Sequence, residues 1–305
     1  MTSRQSLANR LPPGALVIAA VFSVQFGNAI VGSMFDRVGP FGAAALRLTC
    51  GALILAAVVR PRVRSWSPRA WSGVVLLGLG LGGMNLFIYL AIDQIPLGVA
   101  VTIELIGPLA VAALGSRRVA DAAWVVLALT GIALLGLDDV GGVGLTGAGF
   151  AAAAAACWAL YIVASSKLGM RVPGVDGLVA AMVVAALVVA PIGAFQAVPA
   201  VTADPSLLAA FAGVAVLTSA IPYALEFTAL RRMPTRVFGV LSSLGPAVAA
   251  LAGFVVLRQS IDALQLLAIA LVVTASTGVV LTAARGAPEI NSDAGAAPST
   301  GTPRR

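Results

Sequence analysis

The sequence predicts an all-α integral membrane protein with ten transmembrane helices, arranged as two inverted repeats of five helices each. Three observations support this fold class. Of the 305 residues, 60% are apolar and only 10% are charged, against about 25% charged residues in soluble proteins. Apolar stretches of membrane-spanning length recur along the chain. A pattern of glycine and proline returns after an offset of 138 residues (96 to 234, 107 to 245).

Ten apolar stretches are close to the roughly 20 residues that a helix needs to cross the hydrocarbon core of a bilayer. Charged residues in the segments between them mark where each helix leaves the membrane. The stretches comprise residues 13–34, 41–59, 71–92, 96–115, 121–137, 146–165, 177–197, 206–230, 235–257 and 263–283.

Four domains follow from this order of helices. They are a basic N-terminal arm, a first repeat with helices 1 to 5, a second repeat with helices 6 to 10, and a C-terminal tail. The tail is rich in Gly, Ala, Pro, Ser and Thr, a composition typical of disorder. These domains span residues 1–11, 12–138, 146–284 and 285–305.

The basic residues indicate how the chain is oriented in the membrane. If the N-terminus is cytoplasmic, one set of connections carries 16 Lys and Arg residues, and the other carries only Arg37 and Arg258. Since Lys and Arg accumulate in cytoplasmic loops, an even number of helices with both termini in the cytoplasm is expected. The net charge of +7 therefore reflects topology and does not indicate nucleic-acid binding.

An internal repeat accompanies this topology. Pro96 and Pro234 are separated by 138 residues, and so are the pairs 107–108 and 245–246, which both read Gly-Pro. The offset contains five helices, an odd number, so the two halves must cross the membrane in opposite directions. Inverted repeats are typical of secondary transporters, whose substrate sites lie near the midplane at the repeat interface.

Glu104 is the first candidate functional residue, because it lies near the middle of the fourth predicted helix. It follows Pro96 by eight residues, or about 12 Å at 1.5 Å per residue. An ionised group at that depth costs on the order of 2.5–3.5 kcal/mol on insertion scales. Such an acid can bind a proton on one side and release it on the other, which suggests proton coupling. A hydrogen bond between helices is the alternative.

Two further charged residues lie within predicted helices. Arg47 is about two turns into helix 2, and its guanidinium suits the carboxylate of a substrate or of Glu104. The alternatives are a structural ion pair and snorkelling to the interface. Glu226 lies near the end of helix 8 and is a candidate second protonation site or cytoplasmic gate. The alternatives are snorkelling to the cytoplasmic face and pairing with Arg231 and Arg232.

Amide and aromatic side chains at helical spacing are candidate substrate contacts. Intramembrane amides usually face protein or a cavity, although they also hold helices together. Aromatic residues are more often packing residues than ligand contacts. The candidates are Gln25 and Asn28 on helix 1, Asn85 and Tyr89 on helix 3, and Trp158 and Tyr161 on helix 6.

The two Gly-Pro pairs, Gly107 with Pro108 and Gly245 with Pro246, interrupt helical hydrogen bonding in the middle of the membrane. Such breaks are tolerated where they line a cavity or have packed partners. They are therefore expected to flank the translocation path.

Metal and cofactor chemistry is not expected. The chain has no histidine, and its two cysteines, Cys50 and Cys157, both lie in apolar stretches. Such cysteines are typically small core residues.

Several stretches together resemble the EamA type of the drug/metabolite transporter superfamily, and the resemblance covers nearly the whole chain. They are residues 45–48, 82–85, 96–111, 116–118, 156–162, 222–226 and 230–236. The resemblance implies ten helices, two EamA repeats and export of a small amino acid such as threonine or homoserine. It also implies a bacterial inner membrane and exchange against protons.

The sequence departs from the family pattern at two places in the second half. Gly245 stands where the family has an acid before Pro246, and Arg258-Gln259 replaces a Gly-Glu pair. Any coupling is therefore expected to depend on Glu104 and Glu226. One alternative is export of another small metabolite or a drug. A remote alternative, a membrane-embedded lipid-modifying enzyme, predicts polar loops dense in Asp, His or Lys, which this chain lacks; no enzymatic activity is expected.

Overall fold

The computed structural model describes residues 11–64, 66–114, 119–136, 144–169, 172, 175–230, 232–233 and 235–284. Within these residues every regular element is helical. The helices are α1 (Pro13–Gly32), α2 (Phe35–Val59), α3 (Pro68–Ile92), α4 (Leu97–Glu104), α5 (Ile106–Leu114), α6 (Val119–Gly136), α7 (Leu145–Gly169), α8 (Asp176–Ala203), α9 (Ser206–Ala215), a π segment (Val216–Ala220), α10 (Ile221–Leu230), α11 (Thr235–Ser242), α12 (Gly245–Val256) and α13 (Ala263–Ala284).

The predicted membrane class agrees with these helices. Five of them, α1, α2, α3, α7 and α8, contain stretches long and apolar enough to cross a membrane by length and composition. Shorter apolar helical stretches occupy Leu97–Val111, Ser206–Ala220, Val240–Val256 and Ala263–Gly278. The chain is thus a multi-pass membrane protein, while the count of ten spans stays a prediction. The C-terminal tail and nearly all of the N-terminal arm lie outside the described residues.

Helix α2 begins at Phe35, six residues before the predicted start, and contains a kink. Gly39 has φ 65° and ψ 162°, a left-handed conformation that glycine adopts at little cost. Pro40 follows, and a residue before proline is disfavoured in the α region. The side chain of Gln196 in α8 caps the helix beyond the kink, since its Oε1 accepts from the N–H of Gly42 at 3.0 Å.

Three of the predicted helices are interrupted. The fourth is divided at Leu105, the ninth at residues 243–244, and the eighth contains the π segment. The fourth and ninth divide at equivalent places, because α4 and α11 are each eight residues long and occupy equivalent positions in the 138-residue offset (97 to 235, 104 to 242). The interruption in each half is therefore part of the repeated pattern.

Helices at equivalent positions of the two halves pack against each other in opposite directions. Near the start of α2, Gly42 packs against Ala197, whereas further along the helix Gly51 packs against Met182. Residue numbers thus rise along α2 while they fall along α8. The two helices, second in each predicted repeat, run antiparallel.

The fifth helices of the predicted repeats, α6 and α13, show the same relation. Gly131 packs against Ala268, whereas Trp124, seven residues earlier in α6, packs against Gly278. These contacts again require antiparallel helices. The small residues at both contacts allow the backbones to approach closely, as is common in membrane helix packing.

An ion pair joins α2 to the turn between α8 and α9 at one end of the bundle. The Arg37 guanidinium contacts the Asp204 carboxylate. The Ser206 hydroxyl and N–H also donate to Asp204, and together with Arg37 they lower the pKa of that carboxyl. A lowered folded-state pKa means that the contact stabilises the fold above the ordinary aspartate pKa of about 3.9. The stabilisation is lost as pH falls through the lower folded value.

Gly107 provides a test of the packing between α5 and α7. A Cβ added there would lie 2.1 Å from the backbone oxygen of Ala155. Because this oxygen belongs to the backbone of α7, the clash is relieved only if the whole helix shifts. We expect Gly107→Ala to destabilise the protein by about 1–3 kcal/mol, the usual cost of overpacking. The measurement is the thermal unfolding midpoint in detergent.

Gly149→Ala in α7 is the matched control, because a Cβ there meets no atom within 4 Å. Alanine is a better helix former than glycine by about 0.8–1.0 kcal/mol, so its midpoint should stay or rise. An unchanged midpoint for Gly107→Ala would show that α5 and α7 do not pack as closely as described.

Candidate functional site

A cavity of about 260 Å³ lies among helices of both halves. Its polar and charged lining comes from Gln25 and Asn28 of α1, Arg47 of α2, Asn85 of α3, Glu104 of α4, Trp158 and Tyr161 of α7, Thr218 and Ser219 of the π segment, Glu226 of α10 and Ser242 of α11. Its volume is slightly below the range of about 300–1,000 Å³ that is typical of sites for drug-sized ligands. The cavity therefore suits a small polar solute.

The charged lining comprises one cation, Arg47, and two acids, Glu104 and Glu226. Arg47 and Glu104 both border the cavity, but the structure shows no ion pair between them. Opposite charges held apart in one cavity match a zwitterion, which carries an ammonium and a carboxylate on one small molecule.

Arg47 is held in place by uncharged neighbours. Its Nε donates to Thr218 Oγ1 at 3.0 Å, and its Nη1 donates to Asn85 Oδ1. Its guanidinium carbon lies 5.4 Å from the centre of the Tyr89 ring, a cation–π distance. These contacts use two of the five N–H donors of the guanidinium. Arg47 also borders the cavity, where an incoming carboxylate can meet its positive charge.

The two hydrogen-bonding neighbours of Arg47 are themselves fixed. Asn85 Nδ2 donates to the Leu81 carbonyl at 2.8 Å, and Thr218 Oγ1 donates to the Val214 carbonyl at 2.9 Å. Each side chain therefore has one bond to its own helix and one to Arg47. This arrangement sets the direction of the guanidinium.

Thr218 lies in the π segment, an irregularity that often occurs at functional sites. The segment packs closely on α1, because a Cβ on Gly27 would lie 2.4 Å from Thr218 Cγ2. Ser23 of α1 donates its hydroxyl to the Leu217 carbonyl at 2.6 Å. The segment and α1 thus hold Thr218 against Arg47.

Glu104 lies at the C-terminal end of α4 and is only 8% exposed. Among the described residues its carboxylate has no ion-pair partner, and it borders the cavity. A buried carboxylate at the negative end of a helix is destabilised both by loss of hydration and by the helix dipole. The geometry therefore favours a cation or a proton at this carboxylate.

The other sequence-predicted contacts divide into two groups. Gln25, Asn28, Trp158, Tyr161 and Glu226 border the cavity. The amide of Asn28 donates to Gln25 Oε1 at 3.4 Å, so the two side chains act together. Tyr89, expected to contact substrate, does not border the cavity. It is fully buried, because the Arg47 guanidinium and the Phe35 ring of α2 pack against its ring.

The two Gly-Pro pairs also differ in their placement. Gly245 and Pro246 border the cavity, but Gly107 and Pro108 do not. Gly107 instead packs against the backbone of α7 at Ala155. The first pair acts on the cavity indirectly, through Glu104, which lies one turn earlier. Because proline has no N–H, Pro108 cannot donate a hydrogen bond to the Glu104 carbonyl.

Three polar lining residues were not predicted from the sequence, namely Thr218, Ser219 and Ser242. Ser242 has a signal that would have identified it, since it lies at the repeat position of Glu104 (104 to 242). Thr218 and Ser219 form a polar pair within an apolar stretch, but nothing in the local sequence predicts a π segment there. The described residues hold no group of three or more His, Cys, Asp or Glu side chains that is placed to bind a metal.

Comparisons with known proteins agree with this description. The model of the EamA-like transporter family matches residues 145–281. The threonine/homoserine exporter RhtA of Salmonella typhimurium strain LT2 is 42% identical over 275 residues, which are 90% of this chain and 92% of that protein. RhtA of Escherichia coli K12 is 42% identical over 272 residues, or 88% of this chain and 92% of the relative.

A solved structure supports the fold. A crystal structure of another protein superposes with a TM-score of 0.61, covering 91% of this chain and 98% of its own. The two sequences are 22% identical, so this likeness concerns the fold alone.

Proposed function

Because this chain belongs to the EamA-like transporter family, a family of transporters and not of enzymes, we propose that it exports threonine, homoserine or a similar small amino acid across the bacterial inner membrane. Protons moving inward are the proposed driving force. The observation that carries the proposal is the cavity in which Arg47 and Glu104 present opposite charges without pairing.

The proposed architecture is ten spans in two inverted repeats, with both termini in the cytoplasm. The antiparallel packing of α2 on α8 and of α6 on α13 supports the inversion, as does the equivalent division of the fourth and ninth helices. The bias of Lys and Arg toward one set of connections supports the orientation. Inverted halves of this kind expose a shared central site to each side in turn.

The proposed binding mode follows the charges of the cavity. The substrate carboxylate binds the Arg47 guanidinium, whose orientation is fixed by Asn85 and Thr218. The substrate ammonium binds the Glu104 carboxylate. The side-chain hydroxyl of the bound threonine or homoserine forms hydrogen bonds with Asn28 and Ser219. A zwitterion thereby neutralises the half-buried Arg47 cation and the buried Glu104 carboxylate, and a buried charge is costly to leave unpaired.

In the proposed transport cycle, Glu104 binds either the substrate ammonium or a proton. Release of the amino acid outside leaves an ionised carboxylate in an apolar setting, which favours uptake of a proton from that side. The proton is released to the cytoplasm when a new substrate binds. Glu226 borders the same cavity nearer the end of α10 and is the second candidate for this exchange.

A direct transport assay tests the function. Inverted membrane vesicles that contain the protein should accumulate labelled threonine or homoserine when their interior is acidified, and vesicles from cells without the protein should not. Failure to transport either compound, with the protein present in the membrane, would contradict the amino-acid assignment. Competition by a panel of amino acids, nucleobases and drugs would then identify another metabolite or drug as the cargo.

A further inference from the structure

In each of the two interrupted helices, a proline removes the usual hydrogen-bond donor of a backbone carbonyl, and the residue that carries this carbonyl borders the cavity. In an α-helix the carbonyl of residue i accepts from the N–H of residue i+4, and proline has no N–H. Pro108 therefore leaves the carbonyl of Glu104 without its usual donor, and Pro246 does the same for Ser242. Both Glu104 and Ser242 border the cavity.

These carbonyls lie at the C-terminal ends of two short helices, α4 and α11, which end at Glu104 and Ser242. The next helices, α5 and α12, begin only two and three residues later, so the missing proline N–H is the main local change at each break. The repeat places one such break in each half of the protein. The cavity is thus bordered by two residues whose carbonyls lack their usual helical donor, and one of them, Glu104, also carries a carboxylate.

The Glu104 side chain independently indicates a positively charged ligand. It is 92% buried, since only 8% of its surface is exposed, and it has no ion-pair partner among the described residues. A carboxylate and two carbonyls that lack their helical donor can only accept hydrogen bonds, and the serine hydroxyl can accept one as well as donate one. A primary ammonium group has three N–H donors and no acceptor, so its hydrogen-bonding needs match this set.

We propose that the backbone carbonyls of Glu104 and Ser242, freed by Pro108 and Pro246, bind the primary ammonium group of the substrate together with the Glu104 carboxylate. This inference rests on the proposed function and specifies how its substrate is selected. Arg47 binds the carboxylate of the substrate, while the residues at the two proline breaks bind its amine. Compounds without a primary amine leave these acceptors unpaired inside the protein, and such unpaired groups are costly.

Alanine at either proline tests the inference, because it supplies the missing N–H. The assay measures how L-threonine and 2,3-dihydroxybutyrate compete with labelled threonine in inverted vesicles; the second compound carries a hydroxyl in place of the ammonium. The wild-type protein should strongly prefer threonine. The selectivity ratio is the inhibition constant of 2,3-dihydroxybutyrate divided by that of L-threonine. Pro108→Ala and Pro246→Ala should each lower this ratio by about tenfold, which is the value of one hydrogen bond to a charged group.

The ratio does not depend on how much protein folds, so partial loss of stability does not imitate the effect. Pro246→Ala lies in the other half of the chain and leaves the Glu104 backbone unaltered, which separates loss of a carbonyl from displacement of the carboxylate. Pro191→Ala is the matched control. Pro191 lies inside α8, is exposed, and frees the carbonyl of Leu187, whose side chain is 68% exposed; its ratio should equal the wild-type value.

The possible outcomes are distinct. Wild-type vesicles that do not transport threonine would overturn the proposed function and this inference with it. Transport with an unchanged ratio in both proline variants would overturn the inference alone. Transport that requires sodium, with the requirement lost in Pro108→Ala, would place an inorganic cation at the carbonyls and would likewise overturn it.

Discussion

Replacing Glu104 by glutamine is expected to abolish accumulation of substrate against a gradient. Glutamine has nearly the shape of the protonated acid, but it can neither release a proton nor pair with an ammonium group. One inward charge per cycle contributes about 2.3 kcal/mol per 100 mV, which sustains a substrate ratio of roughly 50-fold. In Glu104→Gln vesicles that ratio should fall to about one. The measurement is labelled-threonine uptake with and without an imposed pH gradient.

Two companion variants make this result specific. Glu104→Asp keeps an ionisable carboxylate and should retain a response to the pH gradient, although its shorter side chain lowers the rate. Glu226→Gln asks whether the second acid of the cavity also carries protons. Full gradient-driven accumulation by Glu104→Gln, at an unchanged level of protein, would exclude Glu104 from coupling.

Replacing Arg47 by alanine is expected to produce the second large effect, a rise in the KM for threonine of about 100-fold or more. Removing one partner of a buried, hydrogen-bonded charge pair costs about 3–5 kcal/mol, and every 1.4 kcal/mol is tenfold. Arg47→Lys should fall between alanine and the wild type, because lysine keeps the charge but not the fork that Asn85 and Thr218 orient. Uptake measured over a range of substrate concentrations provides the KM.

A carboxylate-free competitor distinguishes binding from structural damage. Threoninol has an alcohol where threonine has its carboxylate, so its inhibition constant should change little in Arg47→Ala. Arg37→Ala is the matched control, since Arg37 is an exposed arginine on the same helix that pairs with Asp204. A rise in KM of equal size for Arg37→Ala would show that Arg47 acts through the stability of α2 and does not bind substrate.

Much of the site could be anticipated because charged and amide groups are costly in a membrane and must face protein. That argument points to Gln25, Asn28, Arg47, Asn85 and Glu104, and all five border one cavity. Tyr89 shows the limit of the argument. Helical spacing placed it on the face of Asn85, but the packing of neighbouring helices decided that it lies beneath the guanidinium and away from the cavity.

The positions of the helix breaks were visible in the sequence, but their different roles were not. Gly107 and Gly245 occupy the same repeat position, yet one packs on the backbone of Ala155 and the other borders the cavity near Gln25. A repeat in the sequence sets which residues are equivalent. It does not set which neighbour each one meets, because the two halves contact different helices there.

The amino-acid sequence by itself determined the membrane class, the approximate limits of the helices and the 138-residue repeat (96 to 234). Those properties depend on the free energy of moving each residue from water to hydrocarbon, which is local and additive along a helix. Only the tertiary structure decided that Thr218, in a π segment, orients Arg47 across 171 residues of chain. Such contacts depend on how helix surfaces fit together, and no local pattern of the sequence records that fit.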